Sequence, residues 1–212
     1  MNVIQKYHNI KKELQNLKKS IRLIVISKGQ SVDRIETLLQ NSQFDFGENK
    51  VQEALLKWPN LLNKYVNVDL HLVGKLQSNK AKDAFKIFNY IHTLDNEKLA
   101  KIFSNLENNS LKKIKYFIQV NIGNEPQKNG ISVDKLSEFM KYCIYDLKLN
   151  VIGLMCIPPV VGDPGEYFSN LFKLARLNNL TELSMGMSND YDCAAKHGAT
   201  FIRVGSKIFS GN

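Results

Sequence analysis

The chain has 212 residues, 43% hydrophobic and 23% charged, with a formal net charge of +9. That length suits one domain or a cramped two, and that apolar content supports a real core, which excludes global disorder. No apolar run approaches the ~20 residues of a membrane span, and the Lys-rich start from Met1 to Ser20 lacks the apolar stretch of a secretory signal, so the expected location is cytoplasmic, with no membrane partner.

Short apolar runs alternate with helix-period segments throughout. Tyr7, Ile10, Leu14, Leu17 and Ile21 recur at helical steps and predict an opening amphipathic helix. Leu23 to Ile26 is a continuous apolar run suited to a strand buried on both faces. Ser31 stands where it can cap a helix carrying Val32, Ile35, Leu38 and Leu39. Phe44 to Phe46 is a short second strand, followed by a helix from about Glu48 to Trp58 that Pro59 should end. His71 to Val73 reads as the third strand, Asn79 to Ile87 as a helix, and Tyr90 to Thr93 as the fourth strand. Asp95 is expected to cap the helix of Leu99, Ile102, Phe103 and Leu106. Tyr116 to Ile122 is the fifth strand, and Ser132 opens a helix with Leu136, Phe139, Met140 and Cys143. Val151 to Met155 is the sixth strand, followed by a Pro/Gly loop and a helix from about Gly165 to Leu177. Leu180 to Leu183 is a weak seventh strand. Ser188 opens a helix that ends near His197, with Gly198 as its stop, and Thr200 to Val204 is the eighth strand.

Eight strands alternating with helices predict an α/β fold, a single-domain (β/α)₈ barrel over residues 1–212 with an extra N-terminal helix. An open doubly wound sheet fits the alternation nearly as well. Of the 29 cations only Arg22, Arg34, Arg176 and Arg203 are arginines. The densest lysine clusters, Lys11-Lys12, Lys18-Lys19 and Lys112-Lys113-x-Lys115, lack interleaved aromatics, so no specific nucleic-acid partner is expected. Cys143, Cys156 and Cys193 show no C-x-x-C spacing and the histidines no H-x-x-x-H pattern. Neither a disulfide framework nor a metal site is expected.

Active sites of such barrels lie at the C-terminal strand ends. Lys28 directly follows an apolar strand, so its amine is expected at the barrel mouth, partly desolvated and available as a nucleophile for Schiff-base chemistry; the plainer reading is a lysine snorkelling to solvent. Gly205 and Ser206 follow the eighth strand, where barrels frequently bind phosphate, and Ser188 offers a helix start, as an ordinary N-cap or as an anion contact. Arg203 lies in an otherwise apolar strand and, if buried, needs an acceptor that an anionic cofactor would supply. These residues describe a Schiff-base lysine with a phosphorylated carbonyl ligand, in a pyridoxal phosphate site or a phosphosugar aldolase.

At these residues the sequence resembles the pyridoxal phosphate homeostasis proteins, single-domain relatives of the alanine racemase N-terminal barrel. The resemblance runs through Val25-Ile26-Ser27-Lys28, Phe46 to Glu53, His71 to Lys80, Val120 to Ile122, Gly130-Ile131, Gly153-Leu154-Met155, Leu183 to Ser188 and Arg203 to Phe209. It implies a fold-type III barrel holding pyridoxal 5'-phosphate as an aldimine on Lys28, with phosphate contacts from Ser188, Gly205 and Ser206. Arg203 matches the arginine that faces the pyridine nitrogen in the racemases, and Asn49 matches a pocket-lining residue. Two departures stand out: Lys28-Gly29-Gln30 lacks the family's common Lys-Thr turn, and Ser206 replaces a frequent Thr while keeping the hydroxyl.

The implied role is a carrier or buffer of pyridoxal phosphate, expected to be a monomer, with apo pyridoxal phosphate enzymes as recipients. The chain ends soon after Val204, which is expected to leave no second domain to supply an opposite-face base. An arginine beside the ring nitrogen also disfavours ring protonation. His71 and Tyr191 are the candidates for a base within the barrel. A low-activity amino-acid racemase is the alternative reading, and an RNA- or partner-binding barrel is a third.

Overall fold

The computed structural model describes residues 1–17 and 20–211. Eight strands, β1 (Arg22–Ile26), β2 (Asp45–Glu48), β3 (Asp69–Leu72), β4 (Tyr90–Leu94), β5 (Lys115–Gln119), β6 (Asn150–Met155), β7 (Glu182–Ser184) and β8 (Phe201–Val204), pair in parallel and in chain order. β1 closes on β8, with Val25 opposite Val204, so the sheet is a closed barrel and the open-sheet alternative falls away. Helices α2 (Val32–Leu39), α3 (Val51–Lys64), α4 (Ala81–Ile87), α5 (Glu97–Asn108), α6 (Leu136–Lys141), α7 (Pro164–Leu177), α8 (Tyr191–Lys196) and α9 (Ser206–Phe209) follow the strands. Their apolar stripes pack on the outward strand residues and form the larger core, which includes Trp58, Phe103 and Phe168. The extra helix α1 (Val3–Leu17) buries Tyr7, Ile10 and Leu14 and packs against α8 and α9. Among the described residues no helix is long and apolar enough to cross a membrane.

Several local expectations need correction. Pro59 does not end its helix: α3 runs on to Lys64 with the proline inside it. The ring is exposed, and continuing the helix buries Leu61, so packing outweighs the lost backbone bond. Asn96, not Asp95, caps α5, its side chain accepting from the Leu99 N–H at 3.0 Å. Ser31 and Ser132 occupy N-cap positions without a side-chain cap bond. Asp190, not Ser188, takes the N-cap position of α8, because the chain first makes a turn at Met187. The short α9 was not expected, and the Lys18-Lys19 cluster lies outside the described residues.

Alternation along the strands sends a second set of side chains into the barrel. Ile24, Tyr90, Phe117, Met155 and Phe201 form a separate apolar cluster there, with Ile26 and Ile152 against it. At Gly153 the β6 and β7 backbones approach too closely for any side chain: an added Cβ would sit 2.0 Å from the Glu182 carbonyl oxygen. Gly153→Ala is therefore expected to cost stability at the upper end of ~1–3 kcal/mol, read as a lowered midpoint in urea unfolding. A midpoint equal to the parent's would contradict this strand pairing.

Candidate functional site

The C-terminal strand ends open into a cavity of about 650 Å³, within the range of small-molecule sites. Ile26 ends β1, Asn49 follows β2, Val73 follows β3, and Arg203 points in from β8, two residues beyond the inward Phe201. Gly205 and Ser206 continue from β8, and Met187 and Ser188 come from the loop after β7. Ile157, Pro158, Pro159 and Val160, in the loop after β6, form an apolar wall. Five of the six residues singled out in the sequence thus meet at one cavity although they are distant in the chain.

Arg203 is 4% exposed. Its guanidinium donates to Ser184 Oγ at 2.7 Å and to the Cys156 carbonyl at 3.0 Å, and it has no carboxylate partner among the described residues. Burial pushes its pKa down from the usual arginine value. Asn49 Oδ1 is buried without a hydrogen-bond partner, an orphan acceptor at the cavity wall. At Gly205 a Cβ would come within 3.0 Å of Ile26, so the bare backbone keeps this side of the cavity open. Ser188 Oγ accepts from the Lys207 N–H at 3.5 Å, a long contact that joins the two serine-bearing loops. An unpaired buried cation, an orphan acceptor and two hydroxyls beside a bare backbone suit an anionic, hydrogen-bonding cofactor.

Lys28 departs from expectation. It continues the inward alternation of Arg22, Ile24 and Ile26, but β1 has already ended and the residue is exposed. It does not line the cavity, where β1 contributes Ile26.

The two candidate bases are also elsewhere. His71 is fully buried inside the barrel, hydrogen-bonded on both ring nitrogens, to His92 at 2.9 Å and to Asp45 at 3.1 Å. The Tyr191 hydroxyl turns away from the cavity to the carboxylate of Glu13 on α1. Three residues of the site carry no role in the sequence reading, although Ser184 falls within the Leu183 to Ser188 stretch. Lys128 lines the cavity, paired with Glu125 at 2.5 Å. Ser184 and His92 complete a buried polar column below Arg203, with His92 Nδ1 at 2.8 Å from Ser184 Oγ. Their one sequence signal is polarity at inward positions of otherwise apolar strands.

The column reaches the barrel floor, where Arg22 pairs with Asp45 and, at 2.7 Å, with Asp69. Burial pushes the Asp45 carboxyl up, but His71 and Arg22 outweigh it and hold it below the usual carboxylate range. Burial lowers His71, against the opposing pull of Asp45, and lowers His92 further, aided by the neighbouring positive groups. Both imidazoles are neutral at neutral pH.

The alanine racemase N-terminal domain family matches residues 3–212. A pyridoxal phosphate homeostasis protein of Synechocystis is 34% identical, covering 92% of this chain and 94% of its own. One from Vibrio alginolyticus is 33% identical, covering 90% and 86%. Among solved structures, PipY of Synechococcus elongatus with PLP bound superposes with a TM-score of 0.83 at 32% identity, covering 95% of this chain and all of that one. Alanine racemase from Acinetobacter baumannii shares the fold, with a TM-score of 0.76 at 13% identity over 99% of this chain and 62% of its own.

The two buried histidines carry a pH signature. An unfolded histidine titrates near 6.5, and both folded values lie below that. In between, the unfolded chain binds protons that the folded barrel refuses. Their stability contribution is complete above about pH 6.5 and declines as pH falls toward the folded values, by ~1.4 kcal/mol per pH unit for each histidine. Denaturant titrations from pH 7.5 to 5 should show this slope. His92→Phe, which keeps the stack on Phe117, should remove about one proton's share. A pH-independent stability over that range would rule out neutral buried imidazoles.

Proposed function

This chain belongs to the pyridoxal phosphate homeostasis protein family, built on the alanine racemase N-terminal domain, and we propose that it binds pyridoxal 5'-phosphate in this cavity and holds it for cofactor homeostasis in the cytoplasm. The carrying observation is Arg203, a buried guanidinium with no carboxylate partner among the described residues, facing a cavity with an orphan acceptor on Asn49. A pyridine ring nitrogen supplies a further acceptor to the Arg203 guanidinium, and a ring substituent with a proton supplies the donor that Asn49 lacks. Ser188, Ser206 and the bare backbone at Gly205 would hold the phosphate. The cofactor supplies an aldehyde. Lys28, two residues beyond the cavity-lining Ile26, would condense its amine with that aldehyde and release water.

Holding is favoured over turnover by the ionisable residues that line the cavity. They are Lys128, Asp190 and Arg203, and each is engaged. Lys128 pairs with Glu125, Asp190 accepts from the Met187 N–H at 2.6 Å, and Arg203 is bound to Ser184 and Cys156. An α-proton exchange needs an acid and a base on opposite faces of the substrate carbon. With both His71 and Tyr191 turned elsewhere, the alternative racemase reading finds no second base among the described cavity residues. The cofactor would pass to apo enzymes that use it, and the protein would act as a monomer.

Two expected outcomes test this reading. Lys28→Ala should abolish the pyridoxyl group fixed by borohydride while leaving stability within ~0.5 kcal/mol, since the side chain is exposed. Peptide mapping that finds the pyridoxyl group on another lysine would reassign the link. Pyridoxal phosphate should bind at least ~100-fold more tightly than pyridoxal, because charge-assisted hydrogen bonds contribute ~1.5–3 kcal/mol each. Ser188→Ala combined with Ser206→Ala should narrow that gap. Equal affinity for the two compounds in the parent protein would remove the phosphate site.

A further inference from the structure

We propose that Asp45, His71, His92 and Ser184 are positioning residues that hold the Arg203 guanidinium in place at the cavity, through a buried column in which every hydrogen bond donates in one direction, from the cavity to the barrel floor. The cofactor part of this inference rests on the functional reading above; the direction of the column does not.

The argument starts at the floor. An ionised Asp45, held by Arg22, only accepts. His71 Nε2, at 3.1 Å from Asp45 Oδ1, must therefore carry the hydrogen. A neutral imidazole has a single N–H, so His71 Nδ1 is an acceptor. His92 Nε2, at 2.9 Å, must then donate to it, which leaves His92 Nδ1 as an acceptor. Ser184 Oγ, at 2.8 Å, donates its only hydrogen to that nitrogen. Toward Arg203, at 2.7 Å, Ser184 can only accept. The guanidinium is pinned by this bond and by the Cys156 carbonyl, and its remaining N–H groups are the donors available at the cavity it lines.

Packing keeps the column from breaking. His71 stacks on Tyr90 with ring centroids 4.2 Å apart, and His92 on Phe117 at 4.3 Å, so neither ring turns freely. β4 carries one extra residue against β5 between Ile91 and Leu94, an irregularity at His92 and Thr93 that re-aims the chain where His92 must reach both neighbours. Because a guanidinium only donates, a cavity group facing Arg203 is an acceptor.

The test uses the full-length protein with ¹⁵N-labelled histidine and no added cofactor. Nitrogen shifts at pH 7.5 should assign His71 and His92 both as neutral with hydrogen on Nε2. Ser184→Ala should leave both tautomers in place, since the floor sets them, whereas Asp45→Leu should mix them. If Asp45→Leu does not fold, the parent and Ser184→Ala spectra decide the direction. With pyridoxal phosphate added, Ser184→Ala should bind ~10-fold more weakly and shift the visible absorbance, while Ser184→Thr, which keeps the hydroxyl, stays within about 2-fold. Hydrogen on Nδ1 of either histidine in the parent would overturn the column's direction. Unchanged affinity and absorbance in Ser184→Ala would overturn the positioning role. A parent that binds no pyridoxal phosphate would overturn the functional reading and the cofactor part with it, while the tautomers still decide the direction.

Discussion

A guanidinium buried at the mouth of the barrel, with no carboxylate paired to it among the described residues, is the constraint on which the interior depends. Taking a charge out of water costs several kcal/mol unless protein dipoles replace the lost hydration. Arg203 has two such acceptors, a serine hydroxyl and a main-chain carbonyl. Each acceptor makes its own demand. The serine needs somewhere to send its proton and finds His92; His92 finds His71; His71 finds Asp45; and Asp45 is balanced by Arg22. The charged groups at the top and the bottom are joined through groups that are themselves neutral.

This arrangement costs the barrel part of its ordinary interior. Barrels of this kind are usually filled by layers of branched aliphatic side chains. Here a polar column runs beside an apolar cluster of Ile24, Phe117, Met155 and Phe201, and aromatic rings separate the two. The Arg22 guanidinium lies over Tyr90 and Phe201, so even the floor charge rests on aromatic faces. Polar groups inside a core are tolerated only when every member is satisfied, and in this column each ring nitrogen and hydroxyl has a partner.

The mouth is braced from outside by the helix that precedes the barrel. Glu13 on α1 holds the Tyr191 hydroxyl, and Lys6 reaches the Ser210 carbonyl. Arg34 on α2 donates to the Phe209 carbonyl at 2.8 Å. These contacts grip α8 and α9, the elements next to Ser188 and Ser206, and the Ser188–Lys207 contact ties the two loops to each other. Tyr191 thus serves the cavity by holding its rim, and its nearness to Ser188 in the chain says nothing about where its hydroxyl points.

Much of this molecule is decided locally and is therefore legible in the sequence. Apolar runs such as Leu23 to Ile26 and helical stripes such as Leu99, Ile102, Phe103 and Leu106 determine the order and kind of the elements, because strand and helix periodicities differ. Polar residues after strands mark the functional end, and Asn49, Ser188, Arg203, Gly205 and Ser206 do line one cavity there. Cap and break rules failed where packing overrode them: Pro59 stays within α3 because Leu61 is buried beyond it, and Asp190 takes the N-cap position of α8 because the chain turns first at Met187. What no local pattern could give is which polar residues touch. His71, His92 and Ser184 lie on three strands, and only barrel closure, the strand register and the extra residue in β4 bring their atoms within hydrogen-bond distance. Lys28 marks the same boundary from the other side: its alternation points inward, but β1 ends at Ile26 and the residue beyond it is exposed.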